Sequence, residues 1–343
     1  MTRKELLEKA MTFQKVPRVP VVTMSGATWA LKQADLSPDE LMAMPDAGAK
    51  VLYDNCERLN LDLIYGGRAI PHIIMKGMGG VLNNSRKGLP GEIVKKPLDD
   101  IEQIHDWTAE KVMENLRADE EYQRLMMQIR EVAKLTGDQR FVGVGSFGPF
   151  TTAGQMIGVQ DLCIALTDED YEEEVKALLE LSAEVVYQVT ADSLQAGGNL
   201  VFIAEPVASG DLISEEYFEK YSLPYLIQLK ERLQELCPYM ILHICGRTKS
   251  RITALKDSGI TVFSMDSIDL KEALELAEGK ITIMGNLNPV NVLERSSAEE
   301  VHRLSSELVK TAGLDGGFLL APGCDLTPAT SYENILAMVS AVY

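Results

Sequence analysis

From about residue 100 onward the chain alternates short apolar runs with longer stretches of helical spacing. The runs are 141–144, 201–203, 239–242, 262–263, 281–284 and 318–320. Helical patterns at 159–165, 168–194, 214–236, 249–257, 270–277, 298–313 and 330–342 lie between or after them. Strand, helix, strand in repetition predicts a parallel sheet, because parallel neighbours need a crossover and the crossover is usually a helix. Upstream, the first 25 or so residues predict a helix, and Arg18-Val19-Pro20-Val21-Val22 a first short strand. A helix follows over 40–60, carrying Met42, Met44, Ala47, Val51, Leu52 and Cys56, and then a strand at Leu61–Tyr65. About eight strands in one unbroken chain favour an α/β fold of the (β/α)8 TIM-barrel type. The expectation is one barrel domain over 1–343 with an N-terminal helical extension. The Gly- and Pro-rich stretch 66–100 reads as an irregular excursion with short extended pieces. No Gly-x-Gly-x-x-Gly turn opens a helix, so a dinucleotide-binding sheet lacks its fingerprint.

The residues that follow each run carry the chemistry. Glu205 follows Val201–Ala204, and His243 and Cys245 follow Tyr239–Leu242. Asp266 follows Val262–Met265, Asn286 follows Ile281–Met284, and Cys324 follows Phe318–Ala321. In a parallel barrel all these strand ends open on one face, the face that carries active sites. Within Leu242-His243-Ile244-Cys245-Gly246, residues two apart point the same way, so His243 and Cys245 can address one ion. Cys324, in Pro322-Gly323-Cys324-Asp325, brings the set to one nitrogen and two sulfurs. Imidazole and thiolate suit zinc, whereas magnesium and calcium want oxygen ligands. Three ligands leave a fourth position open, as in catalytic zinc sites. Glu205 is the candidate for it, with a rival reading as a structural carboxylate held by a lysine or backbone amides. Asp266 and Asn286 are candidates to orient the ligands or a substrate.

Composition narrows the function. The 343 residues are 46% apolar and carry a net charge of -18, enough to build a sizeable core and too acidic to neutralise a run of phosphates or an anionic lipid surface. The five cysteines show no disulfide spacing, which suits a reducing compartment. Cys56, Cys163 and Cys237 sit in helical patterns and read as packing residues. His105 and His302 carry no motif, and His72 is a minor candidate for a pocket wall. The N-terminus has no apolar signal region and no run approaches a membrane span, so a cytoplasmic location is expected.

These motifs together resemble the uroporphyrinogen decarboxylase superfamily, and within it the cobalamin-dependent methyltransferase branch typified by methylcobalamin:coenzyme M methyltransferases. The likeness runs nearly end to end. It rests on Arg18–Val21, Gly145-Ser146-Phe147-Gly148-Pro149-Phe150-Thr151, Ala204–Ile213, Leu242–Gly246, Met284–Pro289 and Ala321–Asp325. The resemblance implies a (β/α)8 barrel, zinc on His243, Cys245 and Cys324, and a partner protein carrying the corrinoid as methylcobalamin or cobalamin. The decarboxylase's arginine-rich opening motif is missing: the matching place reads Val22-Thr23-Met24-Ser25-Gly26. Near the last strand the decarboxylase has Gly-His where this chain has Gly323-Cys324.

The expected activity is therefore methyl transfer between a corrinoid protein and a small acceptor or donor, most simply a thiol whose pKa zinc lowers. In the reverse sense a methyl ether or amine donates to cobalamin. The alternatives are a decarboxylase of a smaller acid and a zinc-stabilised barrel without catalysis. Ser146, Phe147 and Phe150 are expected to line the pocket from a close-approach loop over Gly145–Thr152. Arg247 or Arg68 would meet a sulfonate on the acceptor.

Overall fold

A computed structural model describes residues 1–343 apart from 25, 26, 68, 69, 88 and 90. Its strands are β1 (Leu63–Tyr65), β2 (Val81–Leu82), β3 (Ile93–Lys95), β4 (Phe141–Phe147), β5 (Leu200–Ala204), β6 (Met240–His243), β7 (Val262–Ser264), β8 (Thr282–Leu287) and β9 (Phe318–Pro322). Seven of them form one parallel sheet in the order β1-β4-β5-β6-β7-β8-β9, and β2 and β3 pair separately as an antiparallel hairpin. Helices fill the crossovers, as the alternating pattern requires.

The eighth position is taken by Pro20–Val22. Its contact is a single parallel bridge, Val21 to Leu320. Leu320 N–H donates to the Pro20 carbonyl and Val22 N–H to the Leu320 carbonyl, both at 2.9 Å. On the other side Asp62 N–H donates to the Val21 carbonyl at 2.9 Å. Proline has no N–H to offer a ladder, and Val21 N–H donates to the side chain of Asp62 at 2.8 Å instead of to a backbone carbonyl. The segment thus links β9 to β1 and closes a (β/α)8 barrel without forming a regular strand. Asp62, fully buried, also takes Arg18 at 2.7 Å and Arg3 at 2.8 Å.

Two cores follow from strand alternation. Leu63, Phe141, Leu200, Ile241, Val262, Met284 and Leu319 form one with Leu6, Leu7, Ala10 and Met11 of the first helix, which plugs the barrel. Their neighbours Ile64, Val142, Val201, Leu242, Phe263, Ile283 and Leu320 belong to the other, between sheet and helices. The inward parity is therefore fixed for every strand, and with it the direction of each residue just beyond.

Several boundaries differ from the sequence pattern, each for a local reason. The first helix is Arg3–Met11 only, since Phe13 turns to φ 55° and Pro17 and Pro20 follow. The 40–60 helix is split into Pro38–Ala43 and Pro45–Arg58, because Pro45 starts a new helix. The 214–236 helix breaks at Ser222 ahead of Pro224. Cys237 lies past that helix, buried ahead of β6. No helix among the described residues is long and apolar enough to cross a membrane.

Candidate functional site

A cavity of about 360 Å³ opens at the C-terminal ends of the strands, and His243, Cys245 and Cys324 all border it. His243 is the last residue of β6, on the inward parity set by Ile241, and is 2% exposed. Its Nδ1 lies 3.1 Å from the hydroxyl of Ser264. Ser264 is the last residue of β7, paired in register with His243 and equally inward. The other ring nitrogen, Nε2, is buried without a hydrogen-bond partner. An imidazole held at Nδ1 and bare at Nε2 is the arrangement of a metal ligand with an oriented ring.

The two thiols meet. Cys245 and Cys324 share a hydrogen bond, which draws the Cys245 pKa down to about 7 and pushes that of Cys324 up to about 12. Burial raises Cys324 further, while contact with His243 works against it. All three donors therefore stand around one end of the cavity. Among the described residues no group of three or more His, Cys, Asp or Glu side chains is placed to hold a metal ion as it stands. The donor chemistry, the two side-chain contacts and the orphan Nε2 fit a zinc ion.

Glu205 does not join them. It follows β5 on the outward parity of Val201 and Ile203, and is fully buried. Its Oε1 accepts from Phe150 N–H at 2.8 Å and its Oε2 from Thr151 N–H at 3.2 Å. The carboxylate thus caps the helix Pro149–Ile157, where the N-terminal amides favour negative charge. Burial raises its pKa to about 7 against the pull of those amides. Glu205 is absent from the cavity wall. The expected fourth ligand is therefore the structural carboxylate of the rival reading.

The close approach expected of Gly145–Thr152 is real but internal. A Cβ on Gly145 would lie 1.8 Å from the Phe202 carbonyl, and one on Gly148 2.3 Å from Glu205 Oε2. The stretch is not a loop: β4 runs to Phe147 and a helix begins at Pro149. Ser146 and Phe147 border the cavity, and Ser146 spends its hydroxyl on the Phe147 carbonyl at 2.7 Å. Phe150 does not border it; its side chain is wholly within the outer core because the helix turns it away.

Asp266 receives Gly246 N–H at 3.4 Å, and a Cβ on Gly323 would touch its Oδ1 at 3.0 Å. It lies behind both ligand-bearing loops. Asn286 donates to the carbonyls of Asp266 at 3.0 Å and Ile268 at 2.5 Å. The pair thus supports loop backbone, and the partner of His243 is Ser264. Arg247 is three-quarters exposed and spent on Asp211, with Nε–Oδ1 at 2.6 Å and a further bond to the Gly210 carbonyl. It is not part of the cavity wall. Arg68 lies outside the described residues. His72 does border the cavity, its ring edge-on to Phe147 at 6.0 Å.

Ser264, Tyr65 and Phe202 were not marked by the strand-end pattern, yet all border the cavity or its donors. The signal for them was inward parity at the strand ends: Tyr65 and Ser264 are the last residues of β1 and β7, and Phe202 lies two before the end of β5. That signal is readable only when the parity of each run is known.

A parallel barrel with a cavity at its C-terminal face, bordered by His243, Cys245 and Cys324, defines the class of (β/α)8-barrel enzymes. The family model described as Uroporphyrinogen decarboxylase (URO-D) matches residues 2–343, and the chain belongs to that family. It is 27% identical to the methylcobamide:CoM methyltransferase MtbA of Methanosarcina acetivorans, over 98% of this chain and 96% of the relative. It is 24% identical to the methylcobamide:CoM methyltransferase MtaA of Methanosarcina barkeri, over 99% and 97%. A solved methyltransferase from Methanosarcina mazei shares the fold with a TM-score of 0.87 at 22% identity, covering 99% of this chain and 98% of that one.

Proposed function

We propose that this protein transfers a methyl group between a corrinoid protein and a small substrate, a thiol in the simplest case, at a zinc ion held by His243, Cys245 and Cys324. The observation that carries the reading is the bare, buried Nε2 of His243 beside two thiols already in contact. Full-length similarity to methylcobamide:CoM methyltransferases supports the reaction class.

Zinc supplies a Lewis acid that lowers the pKa of a bound thiol, so that a sulfur nucleophile exists at neutral pH. The protein's own residues prepare that chemistry. Ser264 fixes the imidazole of His243 so that Nε2 faces the donors. Asp266 steadies the backbone at Gly246, next to Cys245, and Asn286 steadies the Asp266 loop in turn. Glu205 anchors the helix Pro149–Ile157 and thereby the β4 end that presents Ser146 and Phe147. The cavity walls, apolar over most of their length, exclude water from the reacting sulfur.

The test is to mix zinc-loaded protein with methylcobalamin and a panel of thiols and follow the cobalamin spectrum. Thiol-dependent loss of methylcobalamin is expected. No demethylation with any thiol, together with no methylation of cob(I)alamin from ethers or amines, overturns the reading.

A further inference from the structure

The cavity is larger and more apolar than a small charged thiol needs. Its volume of about 360 Å³ falls in the range of sites that enclose a drug-sized ligand. At the donor end it is walled by rings. Tyr65 and Phe202 stand edge to face, 5.4 Å apart at 86°, and Phe147 lies on the same wall. Beyond them the apolar wall continues through Leu31, Met42 and Ile73.

Charge in the described wall is already used. Lys76 is its one Lys or Arg side chain among the described residues, and it pairs with Glu121. Asp39 exchanges hydrogen bonds with Ser85, at 2.9 and 3.1 Å. An anionic headgroup entering here would lose its hydration without gaining an unpaired cation among the described residues. Apart from His243 Nε2, two buried polar groups of the wall have no hydrogen-bond partner: the hydroxyl of Tyr65, 7% exposed, and Oε1 of Gln128, wholly buried. Gln128 Nε2 donates to the Gly66 carbonyl at 3.2 Å, so the atom left over is its oxygen. Buried polar groups are rarely left unpaired without a reason. Both residues border the cavity.

We propose that the cavity takes an uncharged, ring-bearing compound, with its methyl-exchanging atom at the His243, Cys245 and Cys324 end, its ring against Tyr65 and Phe202, and a hydrogen-bonding substituent meeting the Tyr65 hydroxyl. The inference rests on the methyl-transfer reading for which atom reacts. What binds follows from the walls alone.

Calorimetric titration of the full-length, zinc-loaded chain, without any corrinoid, tests it. The probes are 2-methoxyphenol, methoxybenzene, 2-mercaptoethanesulfonate and methylcobalamin. Expected is binding of 2-methoxyphenol at least about tenfold tighter than that of the sulfonate thiol. Tyr65→Phe is expected to weaken 2-methoxyphenol about tenfold and leave methoxybenzene unchanged. If that variant fails to fold, Ile73→Trp serves instead, and filling the apolar wall abolishes binding of both ring compounds. Tighter binding of the sulfonate thiol overturns the proposal, as does displacement of 2-methoxyphenol by methylcobalamin, an equal loss for both ring probes in Tyr65→Phe, or unaltered ring binding in Ile73→Trp. A protein that binds the ring probes yet never exchanges a methyl group with cobalamin overturns the methyl-transfer reading instead and leaves this one standing.

Discussion

His243 Nδ1 and the hydroxyl of Ser264 lie 3.1 Å apart across the paired ends of two neighbouring strands. The contact leaves Nε2 bare toward the thiols. Groups that orient a metal-bound imidazole are typically worth about 10–100-fold in metal affinity. Ser264→Ala should therefore keep the fold and lose zinc affinity in that range, read by competition with a chromophoric chelator. Unchanged affinity would remove Ser264 from the site.

Cys324→Ala and Cys245→Ala should each reduce bound zinc well below one equivalent and abolish thiol-dependent demethylation of methylcobalamin. Stripping the metal with a chelator should do the same while far-UV circular dichroism stays as it was. The two hydrophobic cores are continuous without the site, so the fold does not wait on the ion. A Cys324→Ala protein with full zinc content would sink the three-ligand assignment.

Asp62 is the bolt of the barrel seam. Asp62→Ala strands Arg18 and leaves Val21 N–H without its acceptor. Removing one partner of a buried ion pair costs about 3–5 kcal/mol. A urea titration should show a loss of that order, and one below about 1 kcal/mol would mean the seam is held some other way.

Gly148→Ala should destabilise the protein by about 1–3 kcal/mol, because its Cβ would sit 2.3 Å from Glu205 Oε2. Glu205→Gln should also lower stability, since an amide cannot accept both helix N–H groups without presenting a donor to one of them. Neither should change zinc stoichiometry. A drop in bound zinc on Glu205→Gln would restore that residue as a ligand.

Arg247→Ala should leave KM for thiol substrates within about twofold. Its guanidinium is exposed and committed to Asp211, and an exposed pair of this kind is worth about 0–1 kcal/mol. A large rise in KM confined to anionic thiols would show that Arg247 grips the acceptor after all.

The sequence by itself determined the barrel and the donor trio. Alternating apolar runs and helical stretches dictate parallel strands with crossovers, and parallel strands bring His243, Cys245 and Cys324 to one face however far apart they lie in the chain. Which side of a strand a residue faces was decided by the tertiary structure. Glu205, one residue past β5, looked like a fourth ligand until the inward set Leu200 and Phe202 put it on the outward side, where Phe150 and Thr151 amides hold it. Ser264 went unnoticed for the same reason, because a short apolar run has no visible inside until its neighbours are in place. Arg247, adjacent to the ligand motif, was drawn off by Asp211, a partner from another loop that spacing along the chain does not reveal. Hydrophobic periodicity acts locally and so is legible in order. The pairing of a buried polar group depends on whatever the fold brings beside it.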